Sequence, residues 1–127
     1  MKGISLPFGM QYADTRHYSG SFTRDTSLAS GMQAITGLGF QPKEIMFMAS
    51  EDAIAGEASI GFDDAVTPRV LIDWHNTVAS SRYGSGSYSI YVRHSTGNDY
   101  VGRVSSFGAG EFTIIWTRIG APTGILT

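Results

Sequence analysis

Between Tyr88 and Thr117 apolar and polar residues take turns: Tyr88, Ile90 and Val92 interleave with Ser89, Tyr91 and Arg93, and Phe112, Ile114 and Trp116 interleave with Thr113, Ile115 and Thr117. A period of two marks a strand with one buried face, because successive side chains leave a β-strand on opposite sides. The breaks in the pattern fall where turn chemistry is available. Ser95-Thr96-Gly97-Asn98 separates the first run from residues 99–107, and Gly108-Ala109-Gly110 separates that run from the last. The segment therefore reads as a meander of three antiparallel strands.

Upstream the same grammar recurs with shorter words. Met32 to Thr36 reads as a strand, closed by Gly37-Leu38-Gly39-Phe40-Gln41-Pro42, where glycine permits positive φ and proline fixes the exit. Lys43 to Ser50 reads as a strand covered on both faces, with Ile45, Phe47 and Ala49 on one side and Met46 and Met48 on the other. The methionine face suits a core or a subunit interface equally. Ala58 to Phe62 is a short strand before the acidic turn Asp63-Asp64, and in Arg69 to His75 the residues Val70, Ile72 and Trp74 alternate with Leu71 and Asp73. Ser80 to Ser87, rich in Ser and Gly, reads as a mobile surface loop. No three-turn window has helical periodicity with good helix formers, and Ser27 to Ala34, which contains Gly31, allows one turn at most.

The first 30 residues differ in kind. Tyr12, Tyr18 and Phe22 stand there among Asp, Arg, Ser and Gly without a sustained period, so residues 1–30 read as an irregular N-terminal arm. Such an arm packs on its own domain or reaches a neighbouring subunit. At the other end Ile125-Leu126-Thr127, beyond the Gly120-Ala121-Pro122-Thr123-Gly124 break, is long enough only to pair at an edge. The expected fold is all-β: a single-domain β-sandwich over residues 31–127, jelly-roll-like, with the arm in front.

Composition removes several functions. A chain of 127 residues is one domain in size, without room for a second catalytic lobe. Nine Lys and Arg are scattered under a net charge of -2, so no basic stripe is available for nucleic acid. The absence of cysteine excludes disulfides, thiolate nucleophiles, iron–sulfur clusters and Cys-ligated zinc. No run of about 18 apolar residues occurs and the N-terminus lacks a signal-type apolar stretch, so synthesis in the cytoplasm without a membrane span is expected.

Residues capable of chemistry are dispersed. His17, His75 and His94 lie in separate segments without metal-ligand spacing, and Asp73 with His75 lacks a nucleophile elbow. Glu51, Asp52, Glu57, Asp63 and Asp64 fall in connections and read as solvated turn acids. Their other uses, a glycosidase pair or a calcium site, need a shared cleft or a patterned loop that the sequence does not supply. Tyr83, Tyr91 and Tyr100 can offer flat faces to a sugar or a partner, whereas Trp74, Tyr88, Phe112 and Trp116 follow strand periodicity and belong to a core. No catalytic residue, metal or cofactor is expected.

Two stretches, Ile35-Thr36-Gly37-Leu38-Gly39-Phe40-Gln41-Pro42-Lys43-Glu44-Ile45-Met46-Phe47 and Phe112-Thr113-Ile114-Ile115-Trp116-Thr117-Arg118-Ile119-Gly120-Ala121-Pro122-Thr123-Gly124, resemble a β-sandwich module of tailed-bacteriophage virion and prophage structural proteins. In that module a "TGLGFxPK" turn feeds a buried strand and "WTKxGxPTG" comes near the end, usually with a further apolar strand after it. Here only three residues follow, so the resemblance implies an edge filled by the arm or by a neighbouring subunit.

What the resemblance implies is a non-enzymatic virion structural protein, foremost a capsid decoration protein assembling as a symmetric homo-oligomer, such as a trimer, beside the major capsid protein. Tyr12, Tyr18 and Phe22 would serve the assembly arm. The alternative is a tail-fibre or spike module binding a host glycan through Tyr83 or Tyr91, with Asp63 and Asp64 accepting hydroxyls. A cell-wall hydrolase ranks last, since it needs convergent acids in a cleft.

Overall fold

The computed structural model describes residues 16–52, 57–75 and 80–127, the side chains of 73–75 and 80–83 excepted. These residues form an all-β fold, with ten strands among them: β1 Arg24–Asp25, β2 Gly31–Thr36, β3 Ile45–Ala49, β4 Glu57–Asp63, β5 Arg69–His75, β6 Ser80–Ser85, β7 Ile90–Ser95, β8 Asn98–Gly108, β9 Glu111–Ile119 and β10 Ile125–Leu126. They form two antiparallel four-stranded sheets, β2-β9-β8-β7 and β3-β4-β5-β6, and a small pair, β1-β10. There is no helix among the described residues.

The meander predicted from alternation is present as β7, β8 and β9, with Gly97 and Gly110 at positive φ in its two turns. One strand appears where a loop was expected. Ser80–Ser85 pairs along β5 from Val70↔Ser85 to His75↔Ser80. Small polar residues do not announce a strand, and here the ladder comes from the apolar neighbour β5.

The sheets face each other across a core that both supply. Phe47 and Ala49 of β3 meet Ile90 and Val92 of β7, Tyr100 and Val104 of β8, and Phe112, Ile114 and Trp116 of β9. Trp116 stacks on Tyr100 with ring centroids 5.3 Å apart, and its Nε1–H donates to Gln33 Oε1 at 2.9 Å. A second cluster forms where Tyr88 and Tyr91 cover Val70 and Ile72 of β5.

The second half of the arm belongs to this fold. Phe22 sets its ring edge-to-face against Phe47 and Phe112, each at 6.3 Å, and β1 pairs with β10 through Arg24↔Leu126 and Asp25↔Ile125. On its other side β10 bonds to the end of β3, through Ser50 N–H to Thr127 O and Asp52 N–H to Ile125 O. The short C-terminal strand is thus held between the arm and β3, and Leu126 is buried.

Candidate functional site

The inward face of β4 carries Glu57, Ser59, Gly61 and Asp63, all four buried. An apolar sandwich would place Val or Ile at such positions. The reason for the polar choice lies opposite, at the free edge of β7. β7 is the outer strand of its sheet, and because hydrogen-bonding direction alternates along a strand, the N–H groups of Tyr91 and Arg93 point away from β8. Buried N–H groups need partners, and β4 supplies them from side chains: Ser59 Oγ accepts the Tyr91 N–H at 3.5 Å and Glu57 Oε1 accepts the Arg93 N–H. Next in the row after Ser59, Gly61 lets the Ser89 carbonyl press against the β4 backbone. At the end of the row Asp63 Oδ2 accepts the Val104 N–H at 2.7 Å, beside the β-bulge that interrupts the β8–β9 register between Val104 and Ser106.

This polar seam corrects the expectation for three acids. Glu51, Glu57 and Asp63 are buried rather than solvated, and Asp63 also accepts the Ala65 N–H at 2.7 Å through Oδ1. Asp63 is fully buried with both oxygens turned to backbone donors, so it is not presented to a ligand hydroxyl as the sequence suggested. The sign that points to the seam is the period-two run of Glu, Ser, Gly and Asp, since three polar side chains on one strand face require partners.

Asp64 is half-buried at the surface and closes its own turn by accepting the Val66 and Thr67 N–H groups at 2.9 and 2.6 Å. The Thr67 N–H, with the Val66 N–H and the Thr67 hydroxyl, holds its carboxyl below the ordinary range.

Around Glu57 the charged groups converge. Burial pushes its carboxyl up to about 7 against the pull of the Arg93 N–H, and Glu51 and Asp99 push the same way. Among the described residues its Oε2 has no hydrogen-bond partner. A carboxyl raised from about 4.3 to near 7 binds more protons folded than unfolded, so stability falls as pH rises through that window. With water screening part of the effect, the expected loss between pH 5 and pH 8 is about 1–2 kcal/mol. Urea unfolding should show it, and Glu57→Gln should flatten the slope and be the more stable chain at pH 8. An unchanged slope in Glu57→Gln would assign the effect elsewhere.

Beside the seam Glu51 Oε2 lies 3.1 Å from His94 Nδ1, and His94 Nε2 lies 3.4 Å from Thr123 Oγ1. The order carboxylate, imidazole, hydroxyl is that of an acyl-transfer relay. Glu51 Oε1, however, accepts the Thr26 hydroxyl at 2.9 Å, and the network links the β1 end, the β3 end, the β7–β8 hairpin and the Thr123 loop. Its role on this geometry is to clasp segments. Among the described residues no group of three or more His, Asp or Glu is placed to hold a metal ion.

The tyrosines and the arm take separate places. Tyr91 donates its hydroxyl to Asp99 at 2.7 Å and meets Tyr88 edge-to-face, so its ring is packed rather than offered as a platform. Tyr100 is fully buried. Tyr83 lies in β6 with its side chain outside the described residues, as do those of Asp73, Trp74 and His75, and Tyr12 lies outside them altogether. Tyr18 is exposed on the rim of a groove of about 700 Å³ between residues 16–22 and the β2–β3 connection, whose apolar wall includes Phe22, Leu38, Phe40 and Ile45. Glu51, His94 and Thr123 do not line it.

The outward face of β3, β4 and β5 is left uncovered by the described residues, which sets aside the core reading of the Met46 and Met48 side of β3 and leaves the interface reading. Met46 and Met48 are 73% and 77% exposed, and Ile60, Phe62 and Leu71 also face solvent. Cross-strand register gathers them into two adjacent rows, Met46–Phe62 and Met48–Ile60–Leu71. The sequence carried the correct alternation, but one chain cannot reveal whether a second layer exists.

Comparison with protein-family models, with curated proteins and with solved structures returns no match.

Proposed function

We propose that the chain is a non-enzymatic structural protein of a tailed-phage virion, foremost a capsid decoration protein, that works by assembling with copies of itself on the particle. The observation that carries the assembly half is the uncovered apolar face of β3, β4 and β5. Contiguous apolar surface of several hundred Å² on a small domain marks a contact site. The placement on a virion is supported by the likeness of the 35–47 and 112–124 stretches to phage structural modules. The Gly37–Pro42 connection and the Gly120–Gly124 break that carry this likeness lie outside the strands. Jelly-roll kinship is proposed only at the level of two facing four-stranded sheets, since β3 to β6 form a plain meander.

The engaged acids favour a mechanical role over a chemical one. Asp63 and Tyr91, two of the four groups assigned to a glycan platform, are spent on internal bonds.

Antibody against the purified chain, applied to density-banded phage particles from a culture carrying this gene, tests the proposal. Regular labelling of heads is expected. Labelling confined to tail tips would replace decoration by the tail-fibre alternative, and particles free of label would overturn the virion assignment.

A further inference from the structure

We propose that the outward face of β3, β4 and β5 binds the same face of a second copy of this chain, across a two-fold axis that runs perpendicular to the strands through the Met48–Ile60–Leu71 row. The proposal rests on the assembly reading above and names its contact and symmetry.

Area is the first argument. The exposed parts of Met46, Met48, Ile60, Phe62 and Leu71 amount to roughly 500 Å² of mainly apolar surface, and the flanking residues bring a sheet-on-sheet contact near the ~800 Å² per partner of a stable interface. Self-pairing buries the patch against an equally apolar surface, and an isologous contact requires only one patch per chain.

Shape selects the axis. On one side of the central row stand Met46 and Phe62, and on the other stand Ser50 and Ala58, the next outward positions of the same two strands. Rotation about an axis across the strands sets Phe62 over the partner's Ala58 and Met46 over the partner's Ser50, so each large side chain meets a small one. The central residues then meet their own copies. Rotation about an axis along β4 would instead oppose Phe62 to the partner's Phe62 and leave a gap between the two Ala58 positions. It would also set Met46 against the partner's Arg69, because Arg69 continues the Met46–Phe62 row. Close packing of two sheets about 10 Å apart favours the first arrangement.

Light scattering on the full chain should give twice the 13.7 kDa chain mass at micromolar concentration. Met48→Asp and Leu71→Lys should each weaken the dimer at least about 30-fold, the loss expected of a central contact. These residues are exposed in the single chain, so circular dichroism and the monomer's melting should remain unchanged. Ala58→Phe alone and Phe62→Ala alone should both weaken the dimer, while Ala58→Phe with Phe62→Ala should restore it, because the large and small positions exchange across the axis. As the chain has no cysteine, Ile60→Cys should be joined to itself by a short bis-maleimide.

A dimer unaffected by Met48→Asp, or no rescue by the paired substitution, would overturn the arrangement. A trimer dissociated by the face variants would overturn the two-fold pairing while leaving assembly intact. A monomeric full chain whose Met48→Asp variant no longer labels particles would assign the face to another virion protein. A monomeric full chain that dimerises once residues 1–15 are removed would assign the face to that segment. A dimer that behaves as described but is absent from particles would retain the interface and remove the virion role.

Discussion

Replacing Gly61 by alanine is expected to abolish cooperative folding or to destabilise the chain by at least about 3 kcal/mol, the range reached when a core is overpacked against backbone. An added Cβ would stand 1.6 Å from the Ser89 carbonyl oxygen and 2.6 Å from its carbon. Both neighbours are main chain, so no rotamer relieves the overlap. The sheets would have to part at β4 and β7, and the bonds from Glu57 and Ser59 would stretch with them. Gly84→Ala is the matched control, because its Cβ would meet only the Val70 carbonyl at 3.4 Å on an exposed stretch of β6. A change within about 1 kcal/mol is expected there. Urea unfolding followed by tryptophan fluorescence reads both, and a Gly61→Ala chain as stable as Gly84→Ala would show that the close approach is not needed.

Asp63→Ala is expected to cost about 3–5 kcal/mol. It strips acceptors from the N–H groups of Ala65 and Val104, the second of them deep between the sheets. Each buried donor left unpaired carries a penalty of about 1–3 kcal/mol, and the space vacated adds to it. Asp63→Asn should recover little. Its amide offers one accepting oxygen and one donating nitrogen, so one of the two backbone donors would face another donor. Asp64→Asn provides the contrast, since that side chain serves only its own turn at the surface. Near-equal stabilities of the Asp63 and Asp64 variants would remove the seam from the list of stabilising features.

Most of the strand framework was legible because it rests on local chemistry. The alternation of Tyr88–Val92 and Phe112–Trp116 and the glycines at 97 and 110 specify strands and turns without reference to the rest of the chain. What stayed hidden depends on partners distant in sequence. Ser80–Ser85 is a strand because β5 lies beside it, and nothing in its own residues requires that. Glu57 and Asp63 resembled turn acids because each sits at one end of its strand. Their real partners, Arg93 and Val104, are 36 and 41 residues away. The Met46 and Met48 face reads from sequence as either core or subunit interface, because alternation marks the face as apolar without naming what lies against it.

The seam across β4 also fixes the alignment of the two sheets. Apolar packing alone tolerates sliding, since one Ile or Val fits nearly as well as the next. Here Glu57, Ser59 and Asp63 must each find one particular N–H, and Gly61 must lie under one particular carbonyl, at intervals of two residues. A slip of β4 by one residue would turn Ala58, Ile60 and Phe62 inward and leave every one of those positions mismatched at once. The row therefore works as a notched key that admits a single setting. Docking of the sheets should accordingly be a late, all-or-none event, after β7–β8 and β3–β4 have each closed as hairpins.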